Sequence, residues 1–487
     1  MSTVVAVRTD AYFELGMGHL MRCLTLTKQL PNDEFWVIYF ISEKSQNASY
    51  ILHGHVKNVV ALPCFENEKD DAKWISDYLS NSGITTDYFL VDHYSLGLIW
   101  EKYVSSSTKE LIVIDDLANR NHYCDYLIDS AMNRTESNYT ALCNKGAELL
   151  LGEQYSILNP NIVSNRLSAY RRRQLTKRID SILVSFGATD IQNYSQLVVN
   201  LLLEKGYIGE IHILTTSLNK NLNKLTEAWG GDNNVFIHSD INDVPGLILK
   251  MDLAIGALGG SAIERVALGL PSICMVTVDN QKFNGIALSK NNTIILTNVI
   301  NLESVINRCL LPSFMDEWKS MVDNCSAFYD GLGVNRILYE VFKVSQDVSL
   351  KRMNIEYCDF LYSLQCEEGN RLYSGNENTP SLMEHKEWFE ASMLSENRRM
   401  WVISYKGYDV GYIRLDDIKQ EEEVSIIVSN KFRKLGLAKS SLEAIKMLTK
   451  YSNIVATVHP ENFPSINLFS GSGFKKNSER SYIWKKQ

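Results

Sequence analysis

A chain of 487 residues, 45% hydrophobic and 22% charged, has the composition of an ordinary globular protein and the length for about three compact units. Its formal net charge of −8 argues against a general nucleic-acid binder, and nine cysteines without a Cys-x-x-Cys pair argue against a disulfide framework or a zinc site. No basic n-region precedes the first apolar run and no apolar stretch approaches membrane-spanning length, so the expected compartment is the cytoplasm, with neither membrane nor nucleic acid as partner.

Val4-Val-Ala-Val7 is a short run of strand type, and Leu20, Leu24 and Leu26 resume helical spacing beyond a glycine loop, so the chain opens as strand, loop and helix. That loop and the helix start carry Asp10, Gly16, Gly18, His19 and Arg22. Glycines let the backbone approach a ligand closely, and the free N–H groups of a helix start favour a pyrophosphate. His19 falls in the first helical turn, where the positive end of the dipole disfavours an imidazolium and leaves a ring able to accept a proton from water. A half-buried histidine in a capped helix fits the same spacing, and a Gly-x-Gly pair alone does not decide between the two.

Further strand-like runs at Val37 to Ile41, Val59 to Leu62, Tyr88 to Val91, Leu111 to Ile114 and Leu127 to Ile128 alternate with helical stretches, which predicts a doubly wound parallel sheet over residues 1–167. Polar residues gather where these strands end: Asp92, His93 and Tyr94 after one, Asp115 and Asp116 after another, then Arg120, His122 and Asp125. No His-x-His or His-Glu-x-x-His spacing accompanies them, so the expected site holds no metal. The basic run from Ser168 to Arg178 is expected to be a solvated linker.

The alternation restarts with Ser181 to Ser185, which runs into Phe186-Gly187-Ala-Thr-Asp190, and continues at Glu210 to Thr215, Val235 to His238, Leu253 to Gly256 and Ser272 to Val276. Residues 178–346 are therefore expected to form a second Rossmann-like lobe, closed by a helix over 331–346, with ligands at the carboxyl ends of the strands of both lobes. There the run Gly256-Ala-Leu-Gly259-Gly260-Ser261-Ala-Ile-Glu264 places N–H donors for a phosphate one turn before a carboxylate that can take both hydroxyls of a ribose. A nucleoside diphosphate needs that arrangement, although a tight turn with an exposed glutamate would look the same.

Several strings in this order resemble the UDP-sugar hydrolases of pseudaminic acid biosynthesis, relatives of the GT-B glycosyltransferases that use water as acceptor. They are Arg8-x-Asp10 with Gly16-x-Gly18-His19-x-x-Arg22, Val91-Asp92-His-Tyr94, Ile114-Asp-Asp-Leu-Ala-Asn-Arg120 with Cys124-Asp125, Leu151-Gly152 with Tyr155, Ser185-Phe-Gly187 with Asp190, Gly259-Gly260-Ser261 with Glu264, and Asn280-Gln281. The resemblance implies two Rossmann-like lobes in a GT-B arrangement and metal-free, inverting cleavage between the anomeric carbon and UDP in UDP-2,4-diacetamido-2,4,6-trideoxy-β-L-altropyranose. It places the catalytic base on His19, with Tyr94 and Asn280 near sugar or water and Ser261 and Glu264 on UDP. Asp10 is taken with the catalytic set, and Gly16, Gly18, Arg22, Asp92, Gly187, Gly259, Gly260 and Gln281 with substrate or UDP. Ala262-Ile263 and Ser130-Ala131 depart from the family's usual residues.

From Lys351 the character changes, and residues 351–487 read as a separate mixed α/β unit. Val424 to Val428 alternates as a strand and leads through Arg433-Lys434-Leu435-Gly436-Leu437-Ala438 into a helix, a loop able to aim several N–H groups at one anion. With His459-Pro-Glu-Asn462, Ser465, Phe469 and Gly473-Phe474 following the next strand, and Arg371 and Glu384-His385-x-x-Trp388-Phe389 upstream, the unit resembles the GNAT N-acetyltransferases. That resemblance implies acetyl-CoA as co-substrate, bound by Val428, the Arg433–Ala438 loop and Asn462, and an amine kept neutral by Glu423 or, if the Glu421–Glu423 run is only a solvated turn, by another group. Phe469 stands where many relatives have a tyrosine acid, for which Tyr482 is the substitute considered. Taken together, the expected protein is a bifunctional enzyme that N-acetylates the 4-amino group of a UDP-sugar and then removes UDP from the product. A GT-B glycosyltransferase with a non-water acceptor and a non-catalytic nucleotide-sugar sensor are the alternatives.

Overall fold

The computed structural model describes residues 2–12, 16–45, 51–52, 54–278, 281–374, 378–418 and 420–486. They pack into two compact units, Met1–Val334 and Asn335–Gln487. Among the described residues no helix is long and apolar enough to cross a membrane.

The first unit contains two parallel sheets. One is built from β1 (Thr3–Thr9), β2 (Phe35–Ser42), β3 (Asn58–Leu62), β4 (Thr86–Asp92), β5 (Thr108–Ile114), β6 (Tyr126–Asp129) and β7 (Glu148–Leu151), in the order β3-β2-β1-β4-β5-β6-β7. The other uses β8 (Ser181–Ser185), β9 (Glu210–Thr215), β10 (Val235–Ser239), β11 (Leu253–Ala257), β12 (Ser272–Met275) and β13 (Ile294–Thr297), in the order β10-β9-β8-β11-β12-β13. The strand order reverses between β1 and β4 in the first sheet and between β8 and β11 in the second. In doubly wound sheets the crevice beyond the carboxyl ends at such a switch point is where ligands bind. The loop to His19 follows β1, Asp92 ends β4, Gly187 follows β8 and Gly259 follows β11.

The central strands carry unbroken apolar runs, Val4 to Val7, Phe89 to Val91, Ile182 to Val184 and Leu253 to Ala257, because helices cover both faces of a parallel sheet. Around the second sheet this gives two apolar clusters, one containing Ile182, Val184, Ile255 and Trp318, the other Leu183, Ala254, Val266 and Cys274. The expected strands are present; β7 and β13, two four-residue edge strands, were not anticipated.

The basic run is not a solvated linker. Residues up to Leu175 complete the helix Pro160–Leu175, capped by the Asn159 side chain with proline in its first turn. Arg172 pairs with Asp252 Oδ1 at 2.8 Å, while Arg166 donates to the Ala267 carbonyl at 2.7 Å and the buried Arg173 to that of Ile248 at 3.0 Å. A reading by charge density missed that guanidinium groups can satisfy carbonyls left open at helix ends.

The second unit is built on a mixed sheet of β14 (Ser349–Arg352), β15 (Arg398–Tyr405), β16 (Tyr408–Ile418), β17 (Glu421–Val428), β18 (Asn453–Thr457), β19 (Lys475–Lys476) and β20 (Ser481–Lys485), in the order β14-β15-β16-β17-β18-β20-β19. Every pairing is antiparallel except β17 with β18, which is parallel and covers only Glu422–Ile454 and Glu423–Val455. Beyond Glu423 the two strands part, while β17 stays paired with β16 as far as Val428 opposite Gly411. A fork with a free strand edge therefore opens in the middle of the sheet. The expected closing helix of the second lobe is shorter, Gly333–Glu340, and all but its first two residues belong to this second unit.

Candidate active site

His19 lies in the first turn of the helix Gly18–Thr27 and is buried. Gly16 closes the preceding loop at φ +81°, a conformation costly to any other residue, and its N–H donates to the Tyr12 carbonyl at 2.8 Å. The Nδ1 atom of His19 stands 2.6 Å from Asp92 Oδ1 at the end of β4. Arg22, one helical turn on, delivers Nε and Nη2 to the two oxygens of the same carboxylate at 2.9 Å each. Its Nη1 reaches Asp116 Oδ2 at 2.7 Å, and the Tyr94 hydroxyl donates to Asp116 Oδ1 at 3.1 Å. The ring of Tyr94 meets that of His19 edge to face, with centroids 4.4 Å apart.

Arg22 Nη2 also lies 3.0 Å from His19 Nδ1, farther than the Asp92 oxygen at 2.6 Å, and the nearer carboxylate decides the tautomer. A carboxylate at Nδ1 calls for a proton on that nitrogen, which leaves Nε2 with its lone pair. Burial alone would raise the Asp92 carboxyl, but Arg22 and His19 outweigh it and hold Asp92 below the usual carboxylate range. From sequence alone the helix dipole had no counter-ion beside His19; the structure supplies one in Asp92. Asp92, expected on the substrate side, is occupied with His19 and Arg22.

Asp10 is brought elsewhere. Its Oδ1 accepts from the Ser42 N–H at 2.7 Å and Ser45 Oγ at 2.9 Å, and its Oδ2 faces Arg8 Nη1 at 2.9 Å and His93 Nε2 at 3.3 Å. Burial would raise its carboxyl; His93, Arg8 and the Ser42 N–H hold it well below the usual range. Its contacts thus tie together the loops after β1, β2 and β4. Arg120, not singled out for a role from sequence, donates to the carbonyls of His93 at 3.2 Å and Tyr94 at 3.1 Å and so holds the Tyr94 turn in place.

In the second sheet Gly259 precedes the helix Gly260–Ala267, whose start has no side-chain cap. Ser261 Oγ accepts from Arg265 Nη1 at 3.2 Å, and the buried Arg265 braces the turn from behind through the Ala257 carbonyl at 3.0 Å and Ser272 Oγ at 3.3 Å. Glu264 is the contrast: burial pushes its carboxyl up, and no side chain among the described residues hydrogen-bonds to it or forms an ion pair with it. Gln281 accepts from the Thr277 N–H at 3.0 Å and extends its Nε2 over Gly259. Gly187, at φ +86°, opens the turn after β8, in which Asp190 caps the helix Tyr194–Glu204. Asn280 lies outside the described residues.

Two residues overlooked in the sequence link the sheets. Arg134 pairs with Asp129 through Nε, donates to the Asp116 carbonyl at 2.7 Å and lays its guanidinium 4.2 Å from the ring centre of Phe283, two residues beyond Gln281. A lone arginine after a short strand carries no motif, so sequence offered no signal for it.

In the second unit Glu423 occupies the last paired position before the fork and accepts from Thr457 Oγ1 at 2.6 Å. Its neighbour Glu422 points the other way, fully buried against Arg399 and the Thr449 hydroxyl. From Val428 the chain enters the loop that leads to the helix Leu437–Lys446, with Lys434 at φ +61° and Gly436 at φ +72°. Leu435 and Leu437 are buried and anchor this loop, Arg433 pairs with Asn370, and Ala438 falls in the first helical turn. The Asn462 side chain caps the helix Phe463–Gly471 by accepting from the Ser465 N–H at 3.2 Å. Phe469 is buried edge to face on Phe474, and Tyr482 lies on β20 opposite Ala456.

Comparison with known proteins separates the same two parts. The family profile of the Acetyltransferase (GNAT) domain matches residues 348–475. A UDP-2,4-diacetamido-2,4,6-trideoxy-beta-L-altropyranose hydrolase of Campylobacter jejuni is 23% identical over 59% of this chain and 96% of its own length. An uncharacterized protein of Methanocaldococcus jannaschii is 21% identical over 98% of this chain and 97% of its own. Among solved structures, MurG of Acinetobacter baumannii superposes with a TM-score of 0.53 at 13% identity, covering 71% of this chain and all of that one. The chain thus joins a GT-B-like region, similar to MurG in fold and to the altropyranose hydrolase in sequence, to a C-terminal GNAT acetyltransferase domain.

Proposed function

We propose that the first unit hydrolyses UDP-2,4-diacetamido-2,4,6-trideoxy-β-L-altropyranose to the free sugar and UDP, and that the second N-acetylates the 4-amino group of the UDP-sugar precursor with acetyl-CoA. The pairing of His19 with Asp92 and Arg22 at the switch point of the first sheet carries this reading. The hydrolase of Campylobacter jejuni, matched over nearly its full length, supports the substrate.

In the hydrolytic step Nε2 of His19 takes a proton from water while the water oxygen bonds to the anomeric carbon from the face opposite UDP. The bond from that carbon to the diphosphate oxygen breaks, its electron pair leaves with UDP, and the configuration inverts. Asp92 stabilises the imidazolium that forms. Charge developing on the diphosphate meets the uncapped N–H groups at Gly260 and Ser261, and the glycine turns at Gly16, Gly18 and Gly187 are assigned to further backbone contact with the substrate. The Glu264 carboxylate, which has no side-chain hydrogen bond or ion pair among the described residues, takes the ribose hydroxyls; Tyr94 and Gln281 are assigned to the sugar, and the family resemblance assigns Asn280 there as well.

In the acetyl transfer, Glu423 at the fork takes a proton from the amine, whose nitrogen attacks the thioester carbonyl. The carbon–sulfur bond breaks and CoA leaves as thiolate, which is protonated by water or Tyr482, since Phe469 has no proton to give. The free edge of β17 up to Val428 suits the pantetheine amides, the Arg433–Ala438 loop the diphosphate, and Asn462 the pantetheine arm. Joining successive reactions in one chain raises the effective concentration of the second site to about the millimolar range for a short linker.

Turnover of the diacetamido UDP-sugar in ¹⁸O-water tests the hydrolase. Label in the free sugar is the expected result; label in UDP means attack at phosphorus, and an absence of turnover removes the assignment. For the acetyltransferase, thiol release from acetyl-CoA in the presence of the 4-amino UDP-sugar is expected, and its absence removes that half.

A further inference from the structure

The loop after β17 is held by a helix that lies outside the acetyltransferase family match. That match begins at residue 348, whereas Gly333–Glu340 precedes it, and its residues from Asn335 onward belong to the same compact unit as the loop. Arg336, Tyr339 and Glu340 are spaced i, i+3 and i+4 and so share one helix face. All three meet the loop. Buried Arg336 donates from Nη2 to the Lys431 carbonyl at 2.6 Å, and Glu340 Oε1 stands 3.8 Å from Lys434 Nζ. The Tyr339 ring fills the space beside Gly436, where a Cβ would collide with three of its carbons.

The helix is itself fixed to the sheet. Asn335 donates to Gln346 Oε1 at 3.1 Å, an oxygen that also accepts from the Tyr405 hydroxyl at 2.8 Å, and Lys406 Nζ donates to Asn335 Oδ1 at 3.2 Å. The contacts fall at the places where the loop is hardest to hold. Lys434 and Gly436 both adopt left-handed conformations, and N–H groups converge on one anion only while such a backbone stays in a single state.

We infer that Arg336 and Tyr339 are positioning residues for the acyl-CoA diphosphate, holding the 431–436 loop in its anion-binding shape from a helix outside the family's own boundaries. The inference rests on reading that loop as the CoA diphosphate site. It requires that loosening the helix face weaken CoA and acetyl-CoA equally, because the diphosphate is common to both and the acyl group lies at the other end of the molecule.

Isothermal titration of the full-length chain with acetyl-CoA and with CoA, at a temperature well below melting, tests it. Tyr339→Leu and Arg336→Met are each expected to raise both dissociation constants about tenfold by the same factor, while Tyr339→Phe, which keeps the ring, stays near wild type. Variants that melt earlier but bind both ligands within twofold of wild type would show Tyr339 and Arg336 to be structural only and overturn the inference. A weakening confined to acetyl-CoA overturns it as well. Should Tyr339→Leu fail to fold, Arg336→Met decides by the same criterion. Failure of the wild-type chain to bind either ligand defeats the reading of the loop itself, an outcome separate from wild-type binding that the variants leave unchanged.

Discussion

Replacing Asp92 by asparagine tests the first site at its most specific point. The change keeps the shape of the side chain and removes the charge that lies 2.6 Å from His19 Nδ1. Unit charges about 4 Å apart at an effective dielectric of about 20 interact by about 4 kcal/mol. Arg22, which bonds both oxygens of the same carboxylate, offsets part of this for the imidazolium. Roughly 3 kcal/mol of stabilisation of the protonated ring is then lost, or about a hundredfold in kcat. KM should move little, because Asp92 is buried behind His19 and spends its oxygens on His19 and Arg22. UDP release at saturating sugar nucleotide, measured for Asp92→Asn, His19→Asn and the double variant, checks the reasoning. If Asp92 acts through His19, the double variant is about as slow as His19→Asn alone. A further hundredfold loss in the double variant, or a kcat for Asp92→Asn within threefold of wild type with the fold intact, refutes it.

At Glu264, glutamine should raise KM for the UDP-sugar about tenfold with kcat nearly unchanged, since the ribose is bound alike in ground and transition states; a fall in kcat alone would count against a binding role. His122 gives a pH dependence. Burial alone would lower its pKa, but Asp115 and Glu101 outweigh that and raise it from 6.5 to about 9. The folded state therefore binds this proton more tightly than the unfolded chain, so its stabilisation is fully present below about pH 6.5 and is lost as pH rises through about 9, by roughly 3 kcal/mol. Thermal melts of the wild type should fall between pH 7 and 9.5, and those of His122→Gln should fall less steeply; parallel curves would contradict the assignment. Adjacent glutamates in the second unit should separate cleanly. Glu422→Gln removes the buried counter-charge of the half-buried Arg399 and should cost about 3 kcal/mol in melting of that unit, whereas Glu423→Gln should leave melting unchanged and slow acetyl transfer.

What was legible in the sequence followed from the period of its apolar residues. Strands β1, β4, β8 and β11 are short, carry an apolar run and each have a glycine or aspartate within two residues of their carboxyl end, so the strand ends that carry the site were legible although the strand order was not. Gly187 and Gly259 come from the turns after those strands and His19 and Glu264 from the helices that follow, each within about ten residues of a strand end. What escaped notice depends on partners remote in sequence. Asp92 stands beside Tyr94 in the sequence, but its bond to His19 spans 73 positions and exists because β1 and β4 are neighbours, a fact about strand order. Arg134 matters through Phe283, and Tyr339 through Gly436, with no local pattern to mark either. The basic run failed for the opposite reason: charge density is a local signal, and it pointed to solvent where Arg173 is buried under backbone carbonyls. Local chemistry thus nominated the groups that touch a ligand, and strand order and packing chose the groups that hold them. On that division Asp92, Arg22, Arg265 and Tyr339 should act mainly on how well a neighbouring group is placed. Asp92→Asn should accordingly move kcat and Tyr339→Leu the dissociation constants of CoA and acetyl-CoA, although neither residue is assigned a ligand contact of its own.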